Sequence, residues 1–271
     1  MKKRLLAMLL AAAMCTGLAA CSSDTGTATT PEGGETAESG DGSYNIDVIL
    51  KTTASEYWQY VQAGAMAYQK DNPNVTVTVK GAPSETSYQE QLNMIQTDLA
   101  GDYDGFVIAP LQADMVANLI EGQTKPIVAV DTKIEAPEVI SFVGTGNESA
   151  GALGGAAAVE AAKAAGWTDI KAIEIAGVQG DTTNTDRMNG YMKGIEEAGG
   201  DFLEDEVQYA DAVATKAVDA MNGIMSRYPD GIAIICANND DMAIAAAKAA
   251  ADSGNEAYAN TIFLGFDGIQ S

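Results

Sequence analysis

From Tyr44 onward, short apolar runs bounded by turn residues alternate with longer segments whose apolar side chains recur at helical spacing. The runs predict strands at 46–50 (I-D-V-I-L), 75–79, 105–109, 127–130 (I-V-A-V), 139–143, 171–175 (K-A-I-E-I), 202–209 (F-L-E-D-E-V-Q-Y), 232–236 (I-A-I-I-C) and 261–264. Between most of them the spacing predicts helices near 56–70, 86–100, 112–122, 148–165, 184–198, 213–228 and 241–252. Repeated strand-helix-strand units imply an α/β fold of parallel sheets with helices on both faces. The alternation breaks once, where V-I-S-F-V-G-T-G-N comes after I-V-A-V with only a short loop between, so the pattern predicts two lobes, 44–145 and 146–271. The helix written A-G-A-L-G-G-A-A-A-V-E-A-A-K-A-A is expected to pack closely, because small side chains permit near approach.

Before Tyr44 the pattern changes. Three basic residues, an apolar run too short to remain as a membrane span, and L-A-A-C make residues 1–20 an expected export signal. Leu18-Ala19-Ala20-Cys21 resembles the lipobox of bacterial lipoproteins, which implies acylation of Cys21 and a membrane anchor; a plain secretory signal is the alternative. After Cys21, residues 22–43 contain no large apolar side chain and read as a flexible acidic linker.

Composition narrows the function classes. At 271 residues and 46% hydrophobic, the chain can form one large globular unit or two ordinary domains. Its 38 acidic against 15 basic residues give a net charge of −23, and loss of Lys2, Lys3 and Arg4 with the signal makes it more negative still. Such a surface repels phosphate backbones, so nucleic acid is not an expected partner. The absence of histidine removes the usual general base, the usual metal ligand and every Ser-His or Cys-His arrangement, leaving an enzyme only carboxylates to work with. Of three cysteines, Cys15 departs with the signal, Cys21 is the lipidation candidate and Cys236 lies in an apolar run, so no disulfide framework is expected. No metal or cofactor is expected either: G-T-G-N-E-S at 144–149 falls one glycine short of the dinucleotide fingerprint, and no acid ends a strand about twenty residues on.

Ligands of open parallel sheets bind beyond the carboxyl ends of the strands, so the residues just after each apolar run are the candidates. Ser55, a candidate helix cap, precedes Tyr57 and Trp58, whose rings suit the apolar faces of a sugar but can equally staple the helix to the core. Asp131 and Asp267 each end a strand, where a carboxylate can accept paired hydroxyls or simply make a turn. Arg187 stands near the start of a helix, where the macrodipole disfavours a cation, so a ligand or cleft role is favoured for its fork of donors. Asn239 carries both donor and acceptor, and Asp240 is the expected cap of the next helix.

These residues resemble the periplasmic sugar-binding proteins of ABC importers, of the ribose-binding-like type. The resemblance runs from about Tyr44 to the last residue and rests on D-R-M-N-G-Y-M-K-G-I (186–195), A-N-N-D-D-M-A-I-A-A (237–246) and L-G-F-D-G (264–268). It implies two Rossmann-like lobes with ligand contacts at Tyr57, Trp58, Asp131, Arg187, Asn239 and Asp267, and Ser55 where ribose binders place an asparagine. Ala109, Thr132 and Ala212 stand where those binders have Asn, Arg and an aromatic, which implies a sugar other than ribose, different or larger.

The expected protein is therefore a non-enzymatic, lipid-anchored extracytoplasmic receptor. It is expected to be monomeric, to close two lobes on a sugar or related polyol and to present it to ABC permease subunits. A receptor feeding a sensor kinase or quorum pathway is the alternative, and a surface glycosidase using Asp131 and Asp267 is a weaker one. In the resembled family a further helix and strand come after the G-F-D-G loop, so the chain to Ser271 is expected to lack the C-terminal part of the fold.

Overall fold

The computed structural model describes residues 42–269. The predicted export signal, Cys21 and all but the end of the linker lie outside the described residues. Five parallel strands, β1 (Tyr44–Thr52), β2 (Val75–Ala82), β3 (Gly105–Ile108), β4 (Ile127–Val130) and β5 (Val139–Val143), form one sheet in the order β2-β1-β3-β4-β5. Helices α1 (Glu56–Asp71), α2 (Tyr88–Leu99) and α3 (Ala113–Leu119) make its crossovers. The second sheet is also parallel and runs β10 (Ile262–Leu264), β9 (Ile234–Ala237), β6 (Lys171–Ala176), β7 (Asp201–Phe202), with β8 (Gln208–Tyr209) also pairing with β6. Helices α4 (Asn147–Ala164), α5 (Thr182–Glu197), α6 (Ala214–Arg227) and α7 (Asp240–Asp252) accompany it.

Strand alternation explains the layers. On β1, Val48 and Leu50 join the core under α1 with Trp58, while Ile49 joins the opposite core with Ile95 of α2 and Val116 of α3. In the second sheet Ile173 and Ile175 face α6 and α7, whereas Ala172 faces α4 and α5. Each sheet reverses its strand order beside its first strand, at β1/β3 and at β6/β9, and a crevice opens beyond the carboxyl ends there.

The predicted strand 202–209 is not continuous. Only Asp201–Phe202 and Gln208–Tyr209 pair with β6, and Glu204–Glu206 make a single 3₁₀ turn between them. Three successive acids on a pleated strand would have to point alternately into both covered faces, so the chain leaves the sheet to keep them in water.

The close packing expected of the small-residue helix is found between α4 and α5. A Cβ built on Gly190 would meet Glu148 O at 2.3 Å, and one on Gly155 would meet Tyr191 O at 2.7 Å, so the two backbones approach as only glycine allows.

One buried charge lies away from the crevices. Asp47 shares the Ile49 face of β1, is 0% exposed and has no hydrogen-bond partner among the described residues; Lys80 Nζ stands 3.5 Å from its Oδ1. Burial, reinforced by repulsion from Asp98, raises its pKa to about 7. The folded chain therefore binds an extra proton between the unfolded carboxyl value of about 3.9 and about 7. Stability from this group is fully present below that window and is lost as pH rises through it. Denaturant unfolding of Asp47→Asn across the same range is expected to show a smaller loss of stability with rising pH than the parent chain. Equal pH slopes in the two proteins would contradict this account.

Candidate functional site

The carboxyl ends of the two sheets deliver their side chains to one cleft. It encloses about 440 Å³, open water at its mouth included, and its walls include Ser55, Tyr57, Trp58, Asp131, Arg187, Asn239 and Asp267, all seven residues singled out from the sequence. Ser55 occupies the N-cap position of α1, although its side chain makes no capping bond. Trp58 is 2% exposed; its Nε1–H donates to Glu85 Oε1 at 3.0 Å, and its ring stands edge-on to Tyr57 at 5.0 Å. It thus belongs to the α1 core and to the cleft wall at once.

Asp131 and Asp267 come directly after β4 and shortly after β10, and both hold a left-handed backbone, with φ of 64° and 106°. Ala212, also in the cleft wall, has φ 59°. Strained backbone concentrates where surrounding structure over-determines it, typically at ligand clamps. Tyr57 Oη donates to Asp131 Oδ1 over 3.5 Å, and burial with the nearby Asp131 and Asp267 charges raises its phenol to about 12.

Arg187 lies in the second turn of α5 and is 7% exposed. Its Nε donates to Asn147 Oδ1 at 2.9 Å, its Nη1 to Asn238 O at 2.7 Å, and its Nη2 stands 3.4 Å from Asp267 Oδ1. The guanidinium lies over the Phe266 ring at 3.8 Å. These contacts outweigh the unfavourable helix position noted in the sequence. Burial raises the Asp267 carboxyl to about 7, against the pull of Arg187.

Asn239, not Asp240, caps α7: its Oδ1 accepts from Met242 N at 2.9 Å. Asp240 instead receives the backbone N–H groups of Gly268 and Ile269 and so holds the loop that carries Asp267. The expectation placed the cap one residue late because either side chain can cap, and the loop contact comes from 28 residues away.

Three charged wall residues were not singled out. Lys51, 3% exposed, directs Nζ to Asp181 Oδ2 at 2.7 Å and Asp131 Oδ2 at 3.2 Å. Burial alone would lower its pKa, but Asp181, Asp131 and Glu85 together raise it. Conversely, burial alone would raise Asp131, but Lys51 and Arg187 hold it below the ordinary carboxylate value. Asp181 is the N-cap of α5, its Oδ1 accepting from Asn184 N at 2.8 Å, and burial raises Glu85. The signal for Asp181 and Glu85 was present: both lie in a loop after a strand, as most of the seven do. Lys51 carried it as well, since it comes directly after the apolar run 46–50, although β1 itself runs on to Thr52. Of the departures from ribose binders, Thr132 bonds Thr183 Oγ1 at 2.6 Å, Ala212 leaves its stretch of wall without a ring, and Ala109 is fully buried.

Residues 46–271 match the sequence pattern of the family described as periplasmic binding protein domain. The D-allose-binding periplasmic protein of Escherichia coli (strain K12) is 30% identical over 232 residues, which span 82% of this chain and 72% of that protein. The D-ribose/D-allose-binding protein of Pseudomonas aeruginosa is 26% identical over 240 residues, 83% of this chain and 71% of that one. A carbohydrate transporter solute-binding protein from Agrobacterium radiobacter, solved with D-arabinose, superposes with a TM-score of 0.72 at 26% identity, spanning 78% of this chain and 72% of that one. An ABC transporter periplasmic solute-binding protein from Actinobacillus succinogenes, solved with D-allose, shares the fold with a TM-score of 0.71 at 23% identity, spanning 83% and 79%.

Proposed function

The chain belongs to the periplasmic binding protein domain family, and from that premise we propose that it captures an aldose in the cleft and hands it to an ABC importer. The observation that carries this reading is the convergence of seven residues from 55 to 267, borne by two separate sheets and their helices, on one cleft. The chemistry fits a polyol. Asp131, Asp267, Asn239 and Arg187 supply acceptors and donors for hydroxyls, and Tyr57 and Trp58 supply flat apolar surface.

The lobes 44–145 and 146–271 would close about the sugar, with bound ligand favouring the closed population. Relatives named for D-allose and ribose make aldopentoses and aldohexoses the first class to test. Ribose itself fits less well, since Ala109, Thr132 and Ala212 replace polar and stacking groups. Acylation of Cys21 would tether the receptor outside the membrane, a reading that rests on L-A-A-C and the preceding signal alone.

A thermal-shift screen of the chain from residue 22 onward tests the reading, with pentoses, hexoses, disaccharides and polyols against amino acids and nucleosides. A sugar at about 100 times its Kd should add about 2.7 kcal/mol of stability. A response to an amino acid or nucleoside with none to any sugar would overturn it.

A further inference from the structure

A carboxyl group lies directly beneath the cleft with no part in its wall. Glu174, on the central strand β6, is 0% exposed and sits opposite Cys236 of β9. It shares the face of Ala172, which packs under α4 and α5 with Tyr191. Its Oε1 accepts from Asn238 Nδ2 at 3.3 Å, while its Oε2 has no hydrogen-bond partner among the described residues. An apolar side chain would fill this place at less cost, since a buried polar atom left without a hydrogen bond is destabilising.

Asn238 is where Glu174 meets the cleft. Its Nδ2 is shared between Glu174 and Asn184 O at 3.1 Å, and its carbonyl oxygen receives Arg187 Nη1 at 2.7 Å. Asn238 therefore joins a buried carboxyl to the guanidinium that faces Asp267. The structure assigns Glu174 a positioning role: through Asn238 it sets where the Arg187 guanidinium stands in the cleft. The link to ligand affinity rests on the sugar-binding reading above; the link to Arg187 does not.

The groups facing Glu174 are Arg187 and Tyr191 from α5 and the Cys236 thiol from β9, with Asp267 beyond Arg187. Burial raises the Glu174 carboxyl to about 8, and burial also raises Tyr191 and Cys236. Glu174 therefore stays neutral at neutral pH. Ionisation would place a negative charge beneath Arg187 on the side away from the cleft and draw the guanidinium off Asp267.

The test tracks the Arg187 Nε–H NMR signal, held by Asn147, in the isotope-labelled chain from about pH 6.5 to about pH 9.5. The expected result is a shift with a midpoint near 8 in the parent chain and none in Glu174→Gln, which keeps the acceptor for Asn238 but cannot ionise. Any shift centred near 7, the Asp267 value, should persist in both proteins. A parent signal that does not move near 8, or that moves identically in Glu174→Gln, overturns the assignment whether or not any sugar binds.

With the sugar found by the screen, Glu174→Gln should match the parent Kd at neutral pH and lose the parent's several-fold weakening at alkaline pH. Glu174→Leu, if it melts cooperatively, should bind more weakly at every pH. Parent-like affinity in the leucine variant would reduce Glu174 to a packing residue.

Discussion

Arg187→Ala is expected to weaken sugar binding at least about tenfold, or 1.4 kcal/mol, and to lower the unfolding free energy by about 3 kcal/mol. Both effects come from one geometry. The guanidinium bonds Asn147 and Asn238, faces Asp267 and lies over Phe266, so truncation strips a polar fork from the cleft and leaves the Asp267 carboxyl buried without its cation. Arg187→Lys restores the charge but not the fork, and should recover part of the stability and little of the affinity. Titration calorimetry and denaturant unfolding on the same preparations separate the two effects. Parent-like affinity in a folded Arg187→Ala protein would place the sugar site elsewhere.

Gly194→Ala is expected to destabilise the chain by about 2–3 kcal/mol, although alanine in a helix interior is ordinarily better than glycine by about 1 kcal/mol. The sign reverses because the added methyl would lie 2.0 Å from the Ala152 carbonyl oxygen of α4, and backbone atoms cannot yield as a side chain does. Helix α5 must move away, carrying Arg187 and the Asp181 cap with it, so affinity should fall along with stability. Gly223→Ala on the exposed side of α6 has nothing within 4 Å and serves as the control. That change should be neutral or stabilising by up to about 1 kcal/mol. Thermal melts of both variants read the contrast, with about 2–4 °C expected per kcal/mol. If Gly194→Ala melts at or above the parent temperature, close helix contact is not what the glycine provides.

The elements were legible where local pattern and burial agree. Eight of the nine apolar runs and all seven helical segments correspond to strands and helices of the structure, and the exception at 202–209 is where three acids interrupt the run. The strand-end rule located Asp131, Asn239 and Asp267 because parallel topology sends every strand's carboxyl end to one side. Applied evenly, the rule would also have reached Lys51, Glu85 and Asp181. Glu174 was not legible: one glutamate in K-A-I-E-I looks like the polar position of an ordinary strand, and only the second layer of helices buries it.

Periodicity, turn residues and strand-end polarity are properties of neighbours in the chain, so the sequence alone settled the α/β class, the order of elements and which loops carry polar chemistry. Tertiary structure decided the pairings. Lys51 meets Asp181 across 130 positions, Asn238 reaches Glu174 across 64, and α4 touches α5 where glycines face each other. None of these distances is encoded by local spacing. They arise from how two twisted sheets and their helices pack, and packing sets the charge state of each buried carboxyl by fixing which cation, if any, stands beside it.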